Sequence, residues 1–95
     1  MSVLVDGSPV EYARLPVHLR AGMERWVEHG IPPGTFLKAV LENNLVTALA
    51  TADGDSRLAL DRIAQFVHWG LPHDCHGSRD RCKAWANAHG RVWAL

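Results

Sequence analysis

Apolar residues recur at three- and four-residue steps over most of this chain, which is the spacing of one buried face on an α-helix. The longest such stripe predicts a helix from about Thr35 to Ala52. Its apolar positions are Phe36, Leu37, Val40, Leu41, Leu45, Ala48, Leu49 and Ala52. Asn43 and Asn44 fall in the middle of the stripe, and asparagine is a weak helix former. Either the helix kinks or breaks in two near residue 44, or the two asparagines face solvent.

Three shorter stripes predict helices over about residues 16–29, 56–69 and 79–89. The expected buried positions of the first two are Leu19, Met23, Trp26, Val27, Leu60, Ile63, Phe66 and Val67. The last helix has Cys82, Trp85, Ala86 and His89 on one face. A glycine follows each of these helices, as is common where a helix ends. The sequence therefore predicts four helices, or five if the helix over residues 35–52 is broken.

The segments between the helices carry residues that favour helix ends. Ile31-Pro32-Pro33-Gly34 cannot continue a helix, and Pro32 is held extended by the proline after it. This turn is therefore stiff and favours an antiparallel pair of helices. Asp55 or Ser56 is the expected N-cap of the third helix, and Ser78 of the fourth.

The first thirteen residues have a different pattern from the rest of the chain. Residues 3–5 are β-prone, residues 6–9 form a turn signature, and residues 10–12 are able to return as a second strand. An isolated hairpin is marginal in water, and residues 91–95 are the one candidate for a third strand. An extended arm is the alternative to a short β-hairpin.

These patterns predict a mainly α, single-domain bundle over residues 1–95. Residues 1–13 form its hairpin or arm, residues 15–90 its helical core, and residues 91–95 a C-terminal tail. An apolar fraction of 47% and a charged fraction of 21% suit an ordered globular chain. The composition therefore agrees with the helical pattern and excludes an intrinsically disordered protein.

The charge balance and the N-terminal segment narrow the functional classes. Ten basic and ten acidic residues cancel, which is a poor starting point for a general nucleic-acid binder. The first residues lack the features of a signal peptide, and no apolar run approaches the ~20 residues that a membrane span needs. Two cysteines are too few for a disulfide scaffold. We therefore expect a cytoplasmic protein with reduced thiols and no membrane association.

The sharpest cluster of reactive side chains lies within residues 68–89. It consists of His68, His73, Cys75, His76, Cys82 and His89. Zinc binds such residues tetrahedrally, but no C-x-x-C or H-x-x-x-H pair is present, and free cysteines are commonly buried. A catalytic Cys75 would need a lowered pKa, a base and a cleft. We therefore expect no enzyme activity, no metal and no cofactor, with a structural zinc module as the third-ranked hypothesis.

The last predicted helix is locally basic and has tryptophans among its cations. Arg79, Arg81, Lys83 and Arg91 oppose only Asp80, and Trp85 and Trp93 lie among these cations in the sequence. Interleaved cations and aromatic rings suit a nucleic-acid backbone and its bases. They equally suit an acidic protein surface, since Trp and Arg are enriched at interface hot spots. Trp26 and Trp85 are expected in the core, Trp69 partly exposed, and Trp93 either docked on the domain or in contact with a partner.

The segment from Trp26 to Leu45, WVEHGIPPGTFLKAVLENNL, resembles one that recurs in small proteins of bacteriophages and prophages. Those proteins typically carry an aromatic residue, HGIPPGSFL, an AVL-type helix and Asn-Asp-Leu. The other positions that fit their pattern are Leu15, Pro16, Ala52, Asp53, Phe66, Pro72, Cys75, Gly77, Ser78 and Trp85. The resemblance thus covers about residues 15–86. Residues 1–13 and Cys82 depart from it, and the departure of Cys82 weakens the zinc hypothesis.

The resemblance implies a genomic setting rather than an activity. It points to small accessory proteins of mobile elements, among which non-catalytic inhibitors of bacterial immunity, including anti-CRISPR proteins, are common. We therefore expect a non-enzymatic inhibitor that binds a bacterial protein complex, with a CRISPR effector as the concrete candidate. The alternative is a nucleic-acid-binding phage regulator that uses the basic fourth helix. The expected partner-binding residues are Arg79, Arg81, Lys83, Arg91, Trp93 and Trp69.

Overall fold

A computed structural model describes residues 4–5 and 8–93, with side chains from residue 10 onward. The described residues form six α-helices: α1 (Val17–His29), α2 (Thr35–Leu41), α3 (Leu45–Thr51), α4 (Gly54–Leu58), α5 (Leu60–Gly70) and α6 (Arg79–Ala88). Two short 3₁₀ turns lie at Tyr12–Arg14 and His73–Cys75. The prediction of a mainly helical fold is confirmed, but the count of four or five helices is wrong, because two of the predicted helices are each broken in two.

The predicted N-terminal hairpin, with residues 10–12 as its return strand, is wrong. Tyr12–Arg14 form a 3₁₀ turn, which leaves no second strand at that place. Upstream, β1 (Leu4–Val5) faces β2 (Ser8–Pro9) in an antiparallel contact of two residues each. So short a pairing is not an element of independent stability. The rest of the predicted arm, residues 1–3 and 6–7, and the end of the predicted tail, residues 94–95, lie outside the described residues.

The break between α2 and α3 falls at the two asparagines. Asn43 has a φ of 65°, in the left-handed region that asparagine enters more readily than most residues. Asn44 then starts α3 as its N-cap, and its side chain accepts a hydrogen bond from the Thr47 N–H at 3.2 Å. The predicted alternative of a break near residue 44 is therefore confirmed. A second break, at Ala59 between α4 and α5, has no such sequence signal.

Residue Gly30 ends α1 and also lets α6 approach. Its φ is 67°, and its N–H donates to the Trp26 carbonyl at 2.9 Å, as in a left-handed helix ending. A Cβ at this position would lie 2.4 Å from Cβ of His89. Glycine is therefore required here for its backbone conformation and for close packing between the ends of α1 and α6.

The core is centred on Trp26, which is fully buried. Its indole N–H donates to the Cys75 carbonyl at 3.2 Å, and its own carbonyl accepts from the Trp85 indole at 3.1 Å. These two bonds hold the loop before α6, and α6 itself, against α1. The buried apolar cluster comprises Val10, Leu15, Met23, Trp26, Val27, Leu37, Leu41, Ile63, Phe66, Val67, Leu71, Cys75, Cys82, Ala86 and Trp93.

The stiff turn at residues 31–34 joins α1 to α2, and a methyl of Leu37 lies 3.9 Å from the place where a Cβ of Gly22 would be. The backbones of α1 and α2 approach each other at few points, and a groove opens between them. The antiparallel arrangement expected of these two helices stays a prediction. Among the described residues, none of the helices combines the length and the apolar character needed to cross a bilayer.

Candidate functional site

The outward side of α3 is apolar. At about 100° per residue, Leu49, Val46 and Ala50 follow Leu45 within an arc of about 140°. All four are exposed, with Leu45 at 60% and Val46 at 79%. Apolar residues on the solvent side reverse the usual arrangement of a surface helix, in which the polar residues face water. We call this set of four residues the α3 face.

The α3 face exists because the chain turns between α2 and α3. In an unbroken helix Leu45 and Leu49 would continue the stripe of Leu37 and Leu41, and the sequence analysis expected all four in the core. The left-handed Asn43 and the capping Asn44 restart the helix in a new orientation. Only Ala48 of α3 is then buried, so the prediction that Leu45 and Leu49 are core residues is wrong.

The predicted basic surface on α6 is divided. Arg79, Arg81 and Lys83 are all exposed. On a helical wheel Lys83 lies about 40° from Arg79, whereas Arg81 lies about 200° away. The buried face, which includes Cys82, runs between them. Arg79 and Lys83 therefore form one pair of neighbouring cations, and Arg81 points to the other side of the helix.

Arg81 lies instead near the segment between α5 and α6, which contains His73, His76 and Gly77. We call this region the corner of Arg81. Its Nη1 atom lies 3.1 Å from the place where a Cβ of Gly77 would be, so its guanidinium covers that glycine. The ring centroids of His73 and His76 are 6.2 Å apart in this corner. The imidazole of His76 is 7% exposed, and its buried Nε2 atom has no hydrogen-bond partner. Burial, together with the charges of His73, His68 and Arg81, lowers the pKa of His76.

The two tryptophans expected to contact a partner lie in opposite environments. Trp69, at the end of α5, is 76% exposed, and its ring meets that of His68 edge to face at 4.5 Å. Trp93 is 4% exposed and packs on Trp26 at 4.8 Å between ring centroids. The prediction that Trp93 contacts a partner is therefore corrected, because a ring buried within the domain is not available to a partner. Arg91, two residues before it, is exposed.

Polar contacts fix Trp93 within the domain. Its indole N–H donates to a carboxylate oxygen of Glu42 at 2.5 Å, and the Lys38 ammonium lies 5.6 Å from the ring centroid. A cation at that distance interacts favourably with the ring face. The residues after α6 thus dock on the end of α2, which explains why a tryptophan so near the chain end is buried.

The two thiols are buried and protonated. Cys75 and Cys82 have no exposed surface, and burial raises the pKa of each to about 12. The Cys75 thiol donates to the Pro72 carbonyl at 3.2 Å, and the Cys82 thiol to the Cys75 carbonyl at 3.8 Å. A thiol with so high a pKa supplies no thiolate nucleophile near neutral pH. These two side chains are therefore part of the core packing.

The histidines of the predicted Cys/His cluster do not converge on the thiols. His68, His73 and His76 belong to the corner of Arg81, whereas His89 packs against Gly30 and its ring hydrogen-bonds the Trp85 carbonyl at 2.8 Å. Within the described part of the chain, no group of three or more His, Cys, Asp or Glu side chains is placed to hold a metal ion.

The groove between α1 and α2 is a feature that the sequence analysis missed. It has a volume of about 610 Å³, and it is walled by the turn over residues 31–34 and floored by Gly22. Arg25, an exposed residue of α1, lines the groove. No periodicity would have indicated it, because the groove forms where two helices of different segments diverge. Small-molecule and cofactor sites commonly have volumes in this range.

Comparison with protein-family models, with curated proteins and with solved structures finds no match to this chain. The described residues form a small helical domain that carries the apolar α3 face, a divided basic helix and the groove between α1 and α2.

Proposed function

We propose that this chain is a non-enzymatic binding protein that attaches to a protein partner through the α3 face. The observation that carries the proposal is the exposure of Leu45, Val46 and Leu49 together on one short helix. Contiguous exposed apolar residues on a small domain mark a surface that another macromolecule covers. An apolar patch suits a protein surface better than a phosphate backbone, which is bound mainly by cations.

The concrete form of the proposal is an inhibitor of a bacterial complex in the host cytoplasm, of the anti-CRISPR type. Its support is the resemblance of residues 26–45 to a segment of phage and prophage accessory proteins. Inhibition follows from occupying a surface that the complex needs. Leu45 and Leu49 are its apolar anchors, and Trp69 adds an aromatic contact. The exposed Arg79 and Lys83, which lie side by side, and the exposed Arg91 supply charge complementarity, whereas Arg81 faces the other side of α6.

A nucleic-acid-binding phage regulator is the second candidate. The observation that favours it is the side-by-side position of the exposed Arg79 and Lys83 on α6. Arg81 points away from that pair, however, and the net charge of zero adds no long-range attraction to phosphate. The second candidate therefore relies on two cations, against an apolar face of four residues for the first.

Affinity capture from host lysate, with and without nuclease, tests the proposal. The test variant is the double substitution Leu45→Glu and Leu49→Glu, which places charge on the α3 face without opening a core cavity. The matched control is Val92→Glu, an equally apolar and exposed position at 77% exposure, outside α3. We expect a stoichiometric protein partner that survives nuclease, is lost at least tenfold with the double variant, and is retained by the control.

Two outcomes would reject the proposal. Capture that is unchanged by the double variant removes the α3 face from the interface. Capture that disappears with nuclease, falls steeply with salt, and is abolished by Arg79→Glu with Lys83→Glu favours the nucleic-acid regulator. Circular dichroism melting of each variant shows whether a lost interaction reflects the surface or the fold.

A further inference from the structure

The groove between α1 and α2 carries positive charge on an apolar lining. Among the described residues that line it, Arg25 is cationic, His18 is the other basic side chain, and none is acidic. The rest of its wall includes Leu19, Ile31 and Pro32. Because the chain as a whole has as many acidic as basic residues, this local imbalance distinguishes the groove from the average surface.

Arg25 lies over the floor of the groove without a partner. Its Nη2 atom is 4.0 Å from the place where a Cβ of Gly22 would be, and a methyl of Leu37 is 3.9 Å from the same point. The guanidinium makes no hydrogen bond or ion pair with the residues that the structure describes. A cation with five donors beside apolar side chains favours an anion with planar, bidentate geometry, and a carboxylate has that geometry.

His18, at the other end of the groove, is already engaged. Its Nε2 atom is 3.0 Å from the hydroxyl of Ser56 and 3.6 Å from a carboxylate oxygen of Asp53. These contacts tie α1 to the start of α4 and occupy the Nε2 atom of His18. Arg25 is therefore the group in the groove that is available to recognise an anion.

The shape of the groove favours an extended chain over an enclosed small molecule. The groove is partly open to solvent and is not an enclosed cavity. From His18 to Arg25 the wall formed by α1 is about 10 Å long at 1.5 Å per helical residue. About three residues of extended peptide span that length, and side chains two positions apart then point to the same side. An acidic residue and an apolar residue at such spacing would face Arg25 and the apolar wall together.

We propose that the groove between α1 and α2 binds a short extended peptide in which a carboxylate, held by Arg25, lies two residues from an apolar side chain. The ligand class follows from the unpartnered cation, the absence of acidic lining residues and the length of the wall. This site is separate from the α3 face and shares with α3 only Thr51 at the end of that helix.

A nuclear magnetic resonance titration tests the site. The probe is the capped peptide Ser-Asp-Ser-Leu-Ser, added to ¹⁵N-labelled full-length protein, and the amide signals of Gly22 and Gly34 report binding. The charge control is the same peptide with Asn in place of Asp. We expect saturable shifts with the acidic peptide, at least tenfold weaker binding of the Asn peptide, and a similar tenfold loss for Arg25→Gln.

Matched variants separate the site from the fold. Arg62→Gln changes an exposed arginine on α5 that does not line the groove, so binding should be unchanged. Gly22→Ala adds a methyl to the floor at a helical position with room for it, so binding should weaken while Tm stays the same or rises. An effect on binding with no drop in Tm assigns the change to the groove.

Three results would overturn the proposal. These are equal binding of the Asp and Asn peptides, no shift at Gly22 or Gly34 at millimolar peptide, and Arg25-dependent binding of octanoate with none of the peptide. The last result would assign the groove to small apolar carboxylates. Substitutions in the α3 face should leave this titration unchanged, so failure of the α3 proposal and failure of the groove proposal are distinguishable.

Discussion

Helices α2 and α3 each have seven residues and come from one continuous apolar stripe, yet they use that stripe in opposite ways. α2 buries Leu37, Ala39 and Leu41, whereas α3 buries only Ala48 and turns its leucines to solvent. The difference shows that an apolar stripe predicts a shared face only as long as the helix is continuous. Once the chain turns at Asn43, the same spacing describes a new face in a new direction.

The two helices also differ in what their leucines contribute to stability. Full burial of a leucine side chain contributes about 1.5–3 kcal/mol to folding relative to exposure. Leu41 has that environment, and its carbonyl also accepts a hydrogen bond from the Gly77 N–H at 2.8 Å. Leu45 and Leu49 retain much of their exposed surface. Their apolar area contributes little to the fold and remains available to a partner.

The largest expected effect separates the two helices directly. Leu41→Ala should lower the free energy of unfolding by roughly 2–5 kcal/mol, because it leaves a cavity in a fully buried site. Leu45→Ala should change it by less than about 0.5 kcal/mol, as is usual at exposed positions. Urea denaturation of both variants, with equal m values, measures the contrast. A loss at Leu45 as large as that at Leu41 would mean that α3 packs its leucines inward.

A smaller effect is expected at the break that creates the difference. Asn44→Ala removes the side-chain cap of α3 and should reduce stability by about 1 kcal/mol. The matched change at the neighbouring position is Asn43→Gly, which keeps the left-handed conformation accessible and should leave stability unchanged or slightly higher. Thermal melting of the two variants tests the assignment. Equal destabilisation by both would contradict the different roles given to the two asparagines.

The smallest expected change in stability at neutral pH comes from a residue in the loop that hydrogen-bonds the end of α2. His76 precedes Gly77, and burial lowers its pKa from the ordinary 6.5. Below about pH 6.5 this histidine is therefore protonated in the unfolded chain but still neutral in the folded one. The free energy of unfolding consequently falls as the pH decreases. Near pH 7.5 both states are neutral at this residue and the effect vanishes.

Melting temperatures at pH 7.5 and 5.5 check this linkage. His76→Gln should flatten the pH dependence, whereas His29→Gln, at an exposed position near the end of α1, should leave it in place. A pH dependence that is the same in the wild type and in His76→Gln would assign acid sensitivity to another group.

The helix ends show which features follow from local chemistry. Gly30 ends α1 in a left-handed conformation, and Ser78 caps α6 by accepting from the Arg81 N–H at 3.2 Å, both as predicted. The N-cap of α4 is Asp53, not Asp55 or Ser56 as predicted, and the Asp53 carboxylate accepts from the Ser56 N–H at 2.7 Å. The predicted cap is therefore displaced by two or three residues, which changes where α4 begins, while the prediction that a helix forms there is unaffected.

The candidate surfaces were less predictable than the elements. The exposure of Trp69 and of the α6 cations follows from their positions off the buried stripes. The burial of Trp93 depends on Glu42 and Trp26, which are distant in sequence. The groove near Arg25 depends on how far α1 and α2 diverge, and no local pattern specifies that angle.

The sequence by itself determined a helical domain, most of its helix ends, the Trp26 core and the weak point at Asn43-Asn44, because these depend on spacing, capping and backbone preference over a few residues. Only the tertiary structure decided which way α3 turns after that point, which side of α6 each arginine takes, and where the groove opens. Those outcomes depend on packing between segments that are far apart in the chain. The α3 face, on which the proposed function rests, depends on both kinds of information. The local break at Asn43-Asn44 reorients α3, and the packing of distant segments leaves its apolar side exposed.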